Sequence, residues 1–314
     1  MTKVFIDGSA GTTGLRIHER LSNRRDVELL ILDDGKRKDP AYRAEMINKS
    51  DVSFLCLPDD AARESVSLCT DPDTVIIDAS TAHRTDDAWA YGFPELSPAH
   101  KERIRTSKRI ANPGCHASGF CAIVYPLVSL GVIGADYPIV CHSITGYSGG
   151  GKSMIKSYEA AEREEKYDSP AQYGMSGSHK HLPEMKKVCG LELLPVFNPI
   201  VADFYSGMAV TVPLFARMMK KELSPAALRE LYEEYYGGSG IISVDPYREK
   251  GTEDGFLFAN ELSGKDGMRI IVAGNEDRPQ ITALFCNLGK GASGAAIECM
   301  NISIGADETE GLVL

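Results

Sequence analysis

Short apolar runs alternate with stretches of helical spacing over the first third of the chain. A brief continuous apolar run is typical of a buried strand, and an apolar residue every three or four positions is typical of a helix. The runs that predict strands are Lys3–Asp7, Val27–Leu32, Asp51–Leu57, Thr74–Asp78 and Arg109–Ala111. This alternation predicts a doubly wound parallel sheet of the Rossmann-like α/β class, with ligands bound beyond the carboxyl ends of the strands.

The apolar pattern changes after residue 115, where the strand-like runs become longer. They lie at Ile139–Thr145, Leu191–Val201, Met208–Leu214, Met268–Ala273 and Ile281–Leu288. These runs, with helical segments among them, predict an α+β domain with a largely antiparallel sheet. A final apolar helix, about Ala292–Ile302, is expected to return to the first domain. We therefore predict one domain from residues 1–114 plus about 291–314, and a second from residues 115–290.

Composition and charge exclude several classes of protein. The 314 residues carry a net charge of −10, with a pI near 5.3, which argues against general binding to nucleic acid or anionic membranes. No signal-peptide pattern is seen, and no apolar run approaches the roughly 20 residues that span a bilayer. The eight cysteines are scattered without a CxxC pair, so we expect a reduced, cytoplasmic protein.

A glycine-rich turn follows the first predicted strand and precedes a helical pattern. Its spacing is GxxGxxG, and such glycines permit a tight turn and a close approach of backbone to a pyrophosphate at a helix N-terminus. A purely structural turn is the alternative. The residues predicted to bind a dinucleotide here are Gly8, Ser9, Gly11, Thr12, Thr13 and Gly14.

The end of the second predicted strand should distinguish NAD from NADP. Asp33 or Asp34 can accept a hydrogen bond from a ribose 2′-hydroxyl, which favours NAD. Lys36, Arg37 or Lys38 can pair with a 2′-phosphate, which favours NADP. Because both signals are present, the local pattern leaves the cofactor open.

The ends of the next two predicted strands belong to the same functional edge of the sheet. The third strand ends at Leu57 and Pro58, and the fourth is followed by Ser80 and Arg84. Arg84 can hold a carboxylate or a phosphate with two hydrogen bonds, although a surface salt bridge would explain it equally well.

The segment from Asn112 to Phe120 is the candidate catalytic stretch. Asn112-Pro113-Gly114 is typical of a tight turn, and the apolar spacing after it predicts a helix that begins at or just after Cys115. A thiol at a helix N-terminus is close to unpaired backbone N–H groups and to the positive end of the dipole, which favour the nucleophilic thiolate. A small buried core cysteine is the alternative interpretation.

A phosphate-loop pattern lies in the predicted second domain. The segment Gly146–Ser153 satisfies GxxxxGK[ST] after an apolar run, which raises the alternative of an NTPase. Such a site needs an acidic Mg²⁺ ligand, and Asp203 is the best available, although Pro199 makes the strand before it doubtful. The simpler interpretation is that Gly149 and Lys152 supply backbone donors and a cation to a substrate phosphate.

Two of the seven histidines lie two residues apart, before a predicted helix. No third ligand follows His179 and His181 at zinc spacing, so no metal site is predicted. Pro183 suits the first turn of a helix over Glu184–Val188. A histidine that titrates near neutral pH is a suitable acid/base partner for a cysteine nucleophile.

Taken in order, these motifs resemble the N-acetyl-γ-glutamyl-phosphate reductases, in particular the short type, within the semialdehyde dehydrogenases. The motifs that carry the resemblance are Gly8–Gly14, Tyr91–Glu95, Asn112–Cys115, His179–Glu184 and Asn287–Gly294. Three features depart from the usual family pattern: His116 replaces an aromatic residue, Ser118 replaces threonine, and Tyr147–Lys152 replaces a Gly-Ala-Gly-Arg type of loop.

The resemblance implies an NADP-dependent, phosphorylating acyl-phosphate reductase that is a homo-oligomer, usually a tetramer. Cys115 would form a thioester with the substrate, His179 would act as acid/base, and His181 and Glu184 would orient it. The cofactor-binding set would extend to Arg37, Leu57, Pro58, Ser80 and Asn287, and the substrate-binding set would be Arg84, Asn112, Gly149 and Lys152. A sister enzyme acting on an aspartyl or carrier-linked acyl phosphate, and a non-catalytic nucleotide-binding protein, are the alternatives on this scaffold.

Overall fold

A computed structural model describes residues 1–32, 35–36 and 39–314 of the chain. Asp33, Asp34, Arg37 and Lys38 lie outside the described residues, so the predictions that rest on them stay predictions. The chain divides into two compact units, the first formed by residues 1–114 with 292–312 and the second by residues 115–291 with 313–314.

The described residues of the first unit contain a six-stranded sheet in which every neighbouring pair is parallel. Its strands are β1 (Thr2–Asp7), β2 (Val27–Leu30), β3 (Val52–Leu55), β4 (Val75–Asp78), β5 (Ala90–Tyr91) and β6 (Arg109–Ala111). The spatial order is β2-β1-β3-β4-β6-β5. The helices that alternate with these strands are α1 (Thr12–Leu21), α2 (Pro40–Lys49), α3 (Asp59–Leu68) and α4 (Pro98–Thr106). The prediction of a Rossmann-like parallel sheet is confirmed.

The last helix of the chain, Gly294–Ile304, belongs to this first unit and packs on α4 and β4. Ala296, Ile297 and Met300 are fully buried in one cluster with Ile77 and Ile110 of the sheet. The apolar pattern near residues 292–302 therefore corresponds to a helix whose buried side chains pack against the sheet of the first unit.

The second unit has a mixed sheet of seven strands within the described part of the chain. They are β7 (Val140–Gly146), β8 (Ala171–Gln172), β9 (Val196–Ala202), β10 (Met208–Pro213), β11 (Ile242–Val244), β12 (Met268–Asn275) and β13 (Arg278–Phe285). The order is β11-β12-β13-β10-β7-β9-β8, with parallel pairing only for β7 with β9 and β11 with β12. The helices of this unit are α5 (Cys115–Ser129), α6 (Gly151–Tyr158), α7 (Leu182–Val188) and α8 (Pro225–Tyr236). Gly294–Ile304 is then α9.

Helices α5 and α8 cover neighbouring parts of this sheet, α5 against β10 and β13, and α8 against β11 and β12. Gly119 allows the close approach of α5, because a Cβ there would lie 2.6 Å from a methyl carbon of Val210. Tyr232 and Tyr236 of α8 donate hydrogen bonds of 2.7 Å to main-chain carbonyls of α5. These contacts fix the helix that begins at Cys115.

Pro199, which made this strand doubtful in the sequence, lies inside β9. Strand β9 begins at Val196 rather than Leu191, and it pairs with β7 on one side and with the two-residue strand β8 on the other. Proline has no N–H to donate, but its carbonyl accepts a 3.0 Å hydrogen bond from the backbone N–H of Tyr173. In the described part of the chain, no helix is both long enough and apolar enough to cross a membrane.

Candidate active site

The glycine turn between β1 and α1 leaves no space for side chains at two of its glycines. Gly8 has φ +86°, and a Cβ there would lie 2.3 Å from the carbonyl oxygen of Cys56. A Cβ on Gly14 would lie 2.5 Å from the carbonyl oxygen of Gly8. Helix α1 begins immediately after Gly11, so its first backbone N–H groups open onto the turn. A backbone without side chains at these positions allows the close approach of a dinucleotide pyrophosphate to the first N–H groups of α1.

Other residues predicted to bind the cofactor surround the same edge of the parallel sheet. Leu57 follows β3, and its side chain lies 3.1 Å from the position of a Cβ on Gly8. Pro58 is the N-cap of α3. Ser80 follows β4 and is buried, and its hydroxyl donates a 2.7 Å hydrogen bond to Asp78. Ser9 is partly exposed in the turn itself, and Thr12 and Thr13 are partly exposed in the first turn of α1.

Asp78 also holds a histidine at this edge. Nδ1 of His83 lies 2.6 Å from Oδ2 of Asp78, and the His83 ring stacks on Trp89 at a centroid distance of 4.0 Å. The residue that follows His83 in the chain is Arg84. The loop after β4 is therefore fixed by an aspartate, a histidine and a tryptophan, none of which the sequence analysis had singled out.

Arg84 and Asn112 lie together in the first unit. Nε of Arg84 donates to the carbonyl oxygen of Asn112 at 2.9 Å, and Nη2 donates to that of Ala79 at 2.8 Å. The Asn112 side chain is buried, and its amide nitrogen donates to the carbonyl oxygen of Ala292 at 3.0 Å. The guanidinium thus braces the turn that precedes the cysteine, and a role for either residue in binding substrate stays a prediction.

Cys115 is the first residue of α5, as the spacing predicted. Its side chain is partly accessible, whereas the residues on both sides of it are buried. The π-turn at Gly289–Ser293 packs against it, because a Cβ on Gly291 would lie 3.0 Å from Cβ of Cys115. A partly accessible thiol at the N-terminus of a buried helix has the position that a nucleophile needs.

Five aromatic rings form a cluster directly after Cys115 in the second unit, and we call them the ring cluster. Its members are His116, Tyr173, His179, His181 and Phe197. His116 is central, with ring centroids 5.4 Å from His179 and 5.5 Å from His181. The structure therefore brings both predicted histidines to the residue next to the predicted nucleophile.

His179 is half-buried in this cluster. Burial, together with the charge of Lys180, lowers the pKa of His179 below its usual value of 6.5, so the ring is mainly neutral at pH 7. The backbone N–H of His181 donates to Nδ1 of His179 at 3.2 Å. Because Nδ1 accepts, the proton of the neutral ring is on Nε2, and His179 presents an N–H donor.

His181 is the N-cap of α7 and is buried, and Glu184 is buried in the first turn of the same helix. Pro183 occupies the first turn, as predicted. Helix α7 packs on α5, which places the histidine segment against the helix that carries Cys115. Orientation of His179 by His181 agrees with the main-chain hydrogen bond between them, and a role for Glu184 stays a prediction.

The phosphate-loop pattern lies between β7 and α6. Gly149 is exposed, and Lys152 is exposed in the first turn of α6. Asn287 is buried beside this loop, where its Nδ2 donates to Oγ of Ser148 at 3.0 Å and its Oδ1 accepts from the backbone of Gly207 at 2.9 Å. Asn287 therefore braces the loop, and its predicted contact with a cofactor stays a prediction.

Asp203, the Mg²⁺ ligand that an NTPase would need, is engaged by an arginine. Two hydrogen bonds of 2.9 and 2.7 Å join Asp203 to Arg163, and these hydrogen bonds, with the charge of Arg163, lower the pKa of the Asp203 carboxyl. Among the described residues, no group of three or more histidine, cysteine or acidic side chains is arranged to hold a metal ion. All eight cysteines lie in the described part of the chain, and none forms a disulfide.

Sequence reasoning missed Tyr173 and Ser143, and it treated His116 only as a departure from a family pattern. Nδ1 of His116 is 2.7 Å from Oγ of Ser143, and Nε2 is 2.6 Å from the hydroxyl oxygen of Tyr173. Tyr173 belongs to no recognisable motif, and Ser143 alternates within an ordinary strand pattern. The only feature of the sequence that pointed to these hydrogen bonds was a histidine next to the candidate nucleophile.

Family models match both units. The model described as semialdehyde dehydrogenase, NAD binding domain, matches residues 3–104, and the model described as semialdehyde dehydrogenase, dimerisation domain, matches residues 115–286. The two matches together cover most of the chain.

Curated relatives align over nearly the full length. A protein of Nostoc named N-acetyl-gamma-glutamyl-phosphate reductase 2 is 42% identical, with 99% of each chain covered. A protein of Chelativorans named N-acetyl-gamma-glutamyl-phosphate reductase is 44% identical, with 96% of this chain and 98% of the relative covered. Among solved structures, aspartate semialdehyde dehydrogenase II of Vibrio cholerae superposes with a TM-score of 0.72 at 15% identity, over 97% of this chain and 98% of that one. That likeness concerns the fold.

Proposed function

The chain belongs to the semialdehyde dehydrogenase family, and on that premise we propose that it is an N-acetyl-γ-glutamyl-phosphate reductase of arginine biosynthesis. It reduces N-acetyl-γ-glutamyl phosphate to N-acetylglutamate 5-semialdehyde and releases phosphate. The observation that carries this proposal is the position of Cys115 at the start of α5, directly before the ring cluster, in a chain 42–44% identical to reductases of that name.

The first unit holds the nucleotide cofactor, which we propose is NADP. Gly8, Gly11 and Gly14 leave room for the pyrophosphate, and the N-terminus of α1 supplies backbone N–H donors to it. Bound NADPH supplies the hydride for the reduction. Lys36 is exposed beyond the end of β2, with its ammonium 5.2 Å from the ring centroid of Tyr42, and is the described cation proposed for the 2′-phosphate.

Cys115 carries the acyl group during the reaction. The thiol first loses its proton to solvent, and the thiolate then attacks the acyl carbon. A carbon–sulfur bond forms as the carbon–oxygen bond to phosphate breaks, which leaves a thioester on Cys115. After reduction, the carbon–sulfur bond breaks, the semialdehyde leaves, and the thiolate is restored.

His179 stabilises negative charge on the carbonyl oxygen in both halves of this reaction. Its Nδ1 accepts from the backbone of His181, so Nε2–H is the group available to donate to that oxygen. In an acid/base role the ring would pass through its charged form, in which both nitrogens carry a hydrogen. Its Nδ1–H would then face the backbone N–H of His181, and two donors do not form a hydrogen bond. We therefore favour a neutral donor, with the acid/base role as the alternative.

The remaining assignments are proposals of the same kind. Lys152 and the backbone at Gly149 are proposed for the substrate phosphate, and Arg84 and Asn112 for the remainder of the substrate. We further propose a homo-oligomer, usually a tetramer in this family, and a cytoplasmic location. The match of residues 115–286 to a dimerisation domain and the eight thiols without a disulfide support these last two proposals.

Phosphate-dependent reduction of NADP with N-acetylglutamate semialdehyde tests the function directly. We expect turnover with this semialdehyde and much less with aspartate semialdehyde. The Cys115→Ser variant should lose turnover and still bind NADPH, whereas Cys69→Ser, which changes a partly buried thiol of the first unit, should stay active. Retained turnover in Cys115→Ser would exclude the thioester route, and preference for aspartate semialdehyde would assign the chain to the sister enzyme.

A further inference from the structure

His116 is held by two hydrogen bonds that cross the second unit. Its ring is buried at 3% exposure, and Nδ1 faces Oγ of Ser143 on β7 while Nε2 faces the hydroxyl of Tyr173. The chain Ser143–His116–Tyr173 therefore runs from the sheet, through the residue next to Cys115, to a phenol at the end of β8. The backbone of Tyr173 is held separately, because its N–H donates to Pro199.

The protonation of His116 limits what Tyr173 can do. Burial, with the charges of His179 and Lys180, lowers the pKa of His116 to about 3, so the ring is neutral and has one donor nitrogen and one acceptor nitrogen. If Nδ1 carries the proton, Tyr173 must donate its O–H to Nε2. If Nε2 carries the proton, Ser143 donates to Nδ1, the oxygen of Tyr173 accepts, and the O–H of Tyr173 is available to another acceptor.

The thiolate of Cys115 decides between these two arrangements. The hydroxyl of Tyr173 lies 2.6 Å from the ring of His116, the residue directly after Cys115. Burial, together with the negative charge of Cys115, raises the pKa of Tyr173, so the phenol stays protonated. A protonated hydroxyl near an anion turns its O–H toward that anion. The Nε2–H form of His116 is the one that leaves this O–H available.

We propose that His116 is a positioning residue that turns the hydroxyl of Tyr173 toward Cys115, so that this hydroxyl stabilises the thiolate. The inference rests on the proposed role of Cys115 as nucleophile and adds two groups to it. His116 acts through Tyr173, and Ser143 supplies the donor to Nδ1 in the Nε2–H form of His116.

Several other titratable groups lie on segments around the start of α5, and the test must separate them from Tyr173. They are His179, Lys180 and His181 before α7, Glu184 on α7, and Lys290 in the π-turn. Tyr173→Phe and Ser143→Ala keep all of these side chains and every ring of the ring cluster.

The test is the pH dependence of alkylation of Cys115 by iodoacetamide in the full-length protein, followed by mass spectrometry of the Cys115 peptide. Tyr173→Phe removes one oxygen and keeps the ring. It should raise the pH midpoint of alkylation by about one unit, which is about a tenfold slower reaction on the acid side of the profile. His116→Asn places an amide near the position of Nδ1 only and should give the same shift. His116→Gln places an amide near Nε2 and should stay close to the wild-type midpoint.

Two further variants make the result decisive. Ser143→Ala should also raise the midpoint, because the Nε2–H form, which leaves the O–H of Tyr173 for Cys115, loses the hydrogen bond to its Nδ1. It changes one atom in the sheet and serves if a His116 variant fails to fold. The double variant His116→Asn with Tyr173→Phe should shift no further than Tyr173→Phe alone, because the two act in one chain.

The outcomes distinguish this inference from the proposed function. If wild-type Cys115 reacts no faster than a free cysteine at every pH, the nucleophile assignment fails. If wild-type Cys115 reacts at low pH and Tyr173→Phe and Ser143→Ala keep its midpoint, the nucleophile stands and the positioning role is overturned. A loss of thermal stability with an unchanged midpoint would likewise show that the three residues serve packing alone.

Discussion

The guanidinium of Arg84 donates a 2.9 Å hydrogen bond to the carbonyl oxygen of Asn112, three residues before Cys115. A second N–H of the same group donates to the carbonyl oxygen of Ala79, directly after β4. One side chain thus ties the end of a strand to the turn that leads to the nucleophile. The planar guanidinium presents these two N–H donors in fixed directions, one toward each carbonyl.

Arg84→Lys should therefore weaken the enzyme although it keeps the charge. An ammonium is a point charge on a flexible stem and does not keep the rigid fork geometry of the guanidinium, so we expect a loss of about 1–3 kcal/mol in the free energy of unfolding and a fall in kcat. Urea denaturation and steady-state kinetics measure the two effects. Arg105→Lys is the control, because Arg105 forms an exposed ion pair with Glu102 and should change stability by less than about 1 kcal/mol. A variant with unchanged stability and a raised KM for the acyl phosphate alone would instead indicate direct substrate binding.

His179→Gln distinguishes an N–H donor from an acid/base. The amide nitrogen of glutamine can take the position of Nε2 and donate, but it exchanges no proton near neutral pH. A donor role predicts kcat within about tenfold of wild type for His179→Gln and a loss of about 10²–10³ for His179→Ala. If both variants lose activity equally, by about 10²–10⁴, general acid/base catalysis is the better account.

His116 should make the protein sensitive to mild acid. Its pKa is about 3 in the folded state against 6.5 for an ordinary histidine, so the unfolded chain binds one more proton between these values. Stability is therefore lost as the pH falls below 6.5, at up to about 1.4 kcal/mol per pH unit for this group.

Replacing His116 by phenylalanine removes that titration and keeps a ring in the cluster. The stability difference between wild type and His116→Phe should shrink by about 1 kcal/mol from pH 6 to pH 5, as measured by urea denaturation. Phe197→Leu is the control, because it replaces a ring that has no titratable group. It should lower the free energy of unfolding by the same amount at both pH values. A difference for His116→Phe that does not depend on pH would show that His116 can be protonated in the folded protein.

Gly8→Ala should weaken cofactor binding. The new methyl group would have to share space with the carbonyl oxygen of Cys56, and the residue would have to keep a positive φ. We expect at least about a tenfold rise in the Kd for NADPH, because the turn is displaced, together with a loss of stability.

Gly131→Ala is the matched control, since φ is +67° there and nothing lies within 4 Å of the new Cβ. This substitution should lower the free energy of unfolding by about 1–2 kcal/mol and leave NADPH binding unchanged. Equal effects of the two substitutions would show that backbone strain alone is responsible.

The sequence predicted the fold well where a local pattern determines local structure. The apolar run at Arg109–Ala111 and the helix start at Cys115 agree with the structure to the residue. The strand at Val196–Ala202 was less predictable, because Pro199 is tolerated only where pairing does not require its N–H, and that depends on its neighbours in the sheet. The N-terminus of α3 is a second case, since Asp59 accepts hydrogen bonds from Thr81 instead of capping its own helix.

The candidate site was predicted in part for the same reason. Cys115, His179 and His181 carry recognisable chemistry at recognisable spacings, so they could be named from the sequence. Tyr173 and Ser143 reach the site through pairing between strands that are distant along the chain, and no local pattern encodes that geometry. Arg84 was named as a candidate ligand, but its hydrogen bonds to two carbonyls became visible only when the ends of β4 and β6 were placed side by side.

The nucleotide-binding unit is made from two separate segments, residues 1–114 and 292–312, and this sets an order of folding events. Residues 115–291 are synthesised before α9, so most of the second unit is available to fold before the first unit has all of its core. Until Ala296 and Met300 are added, the nascent sheet keeps the apolar surface around Ile77 and Ile110 uncovered. A chain arrested shortly before α9 would thus present this surface to chaperones, and the nucleotide gains a finished site to stabilise only after α9 has been synthesised.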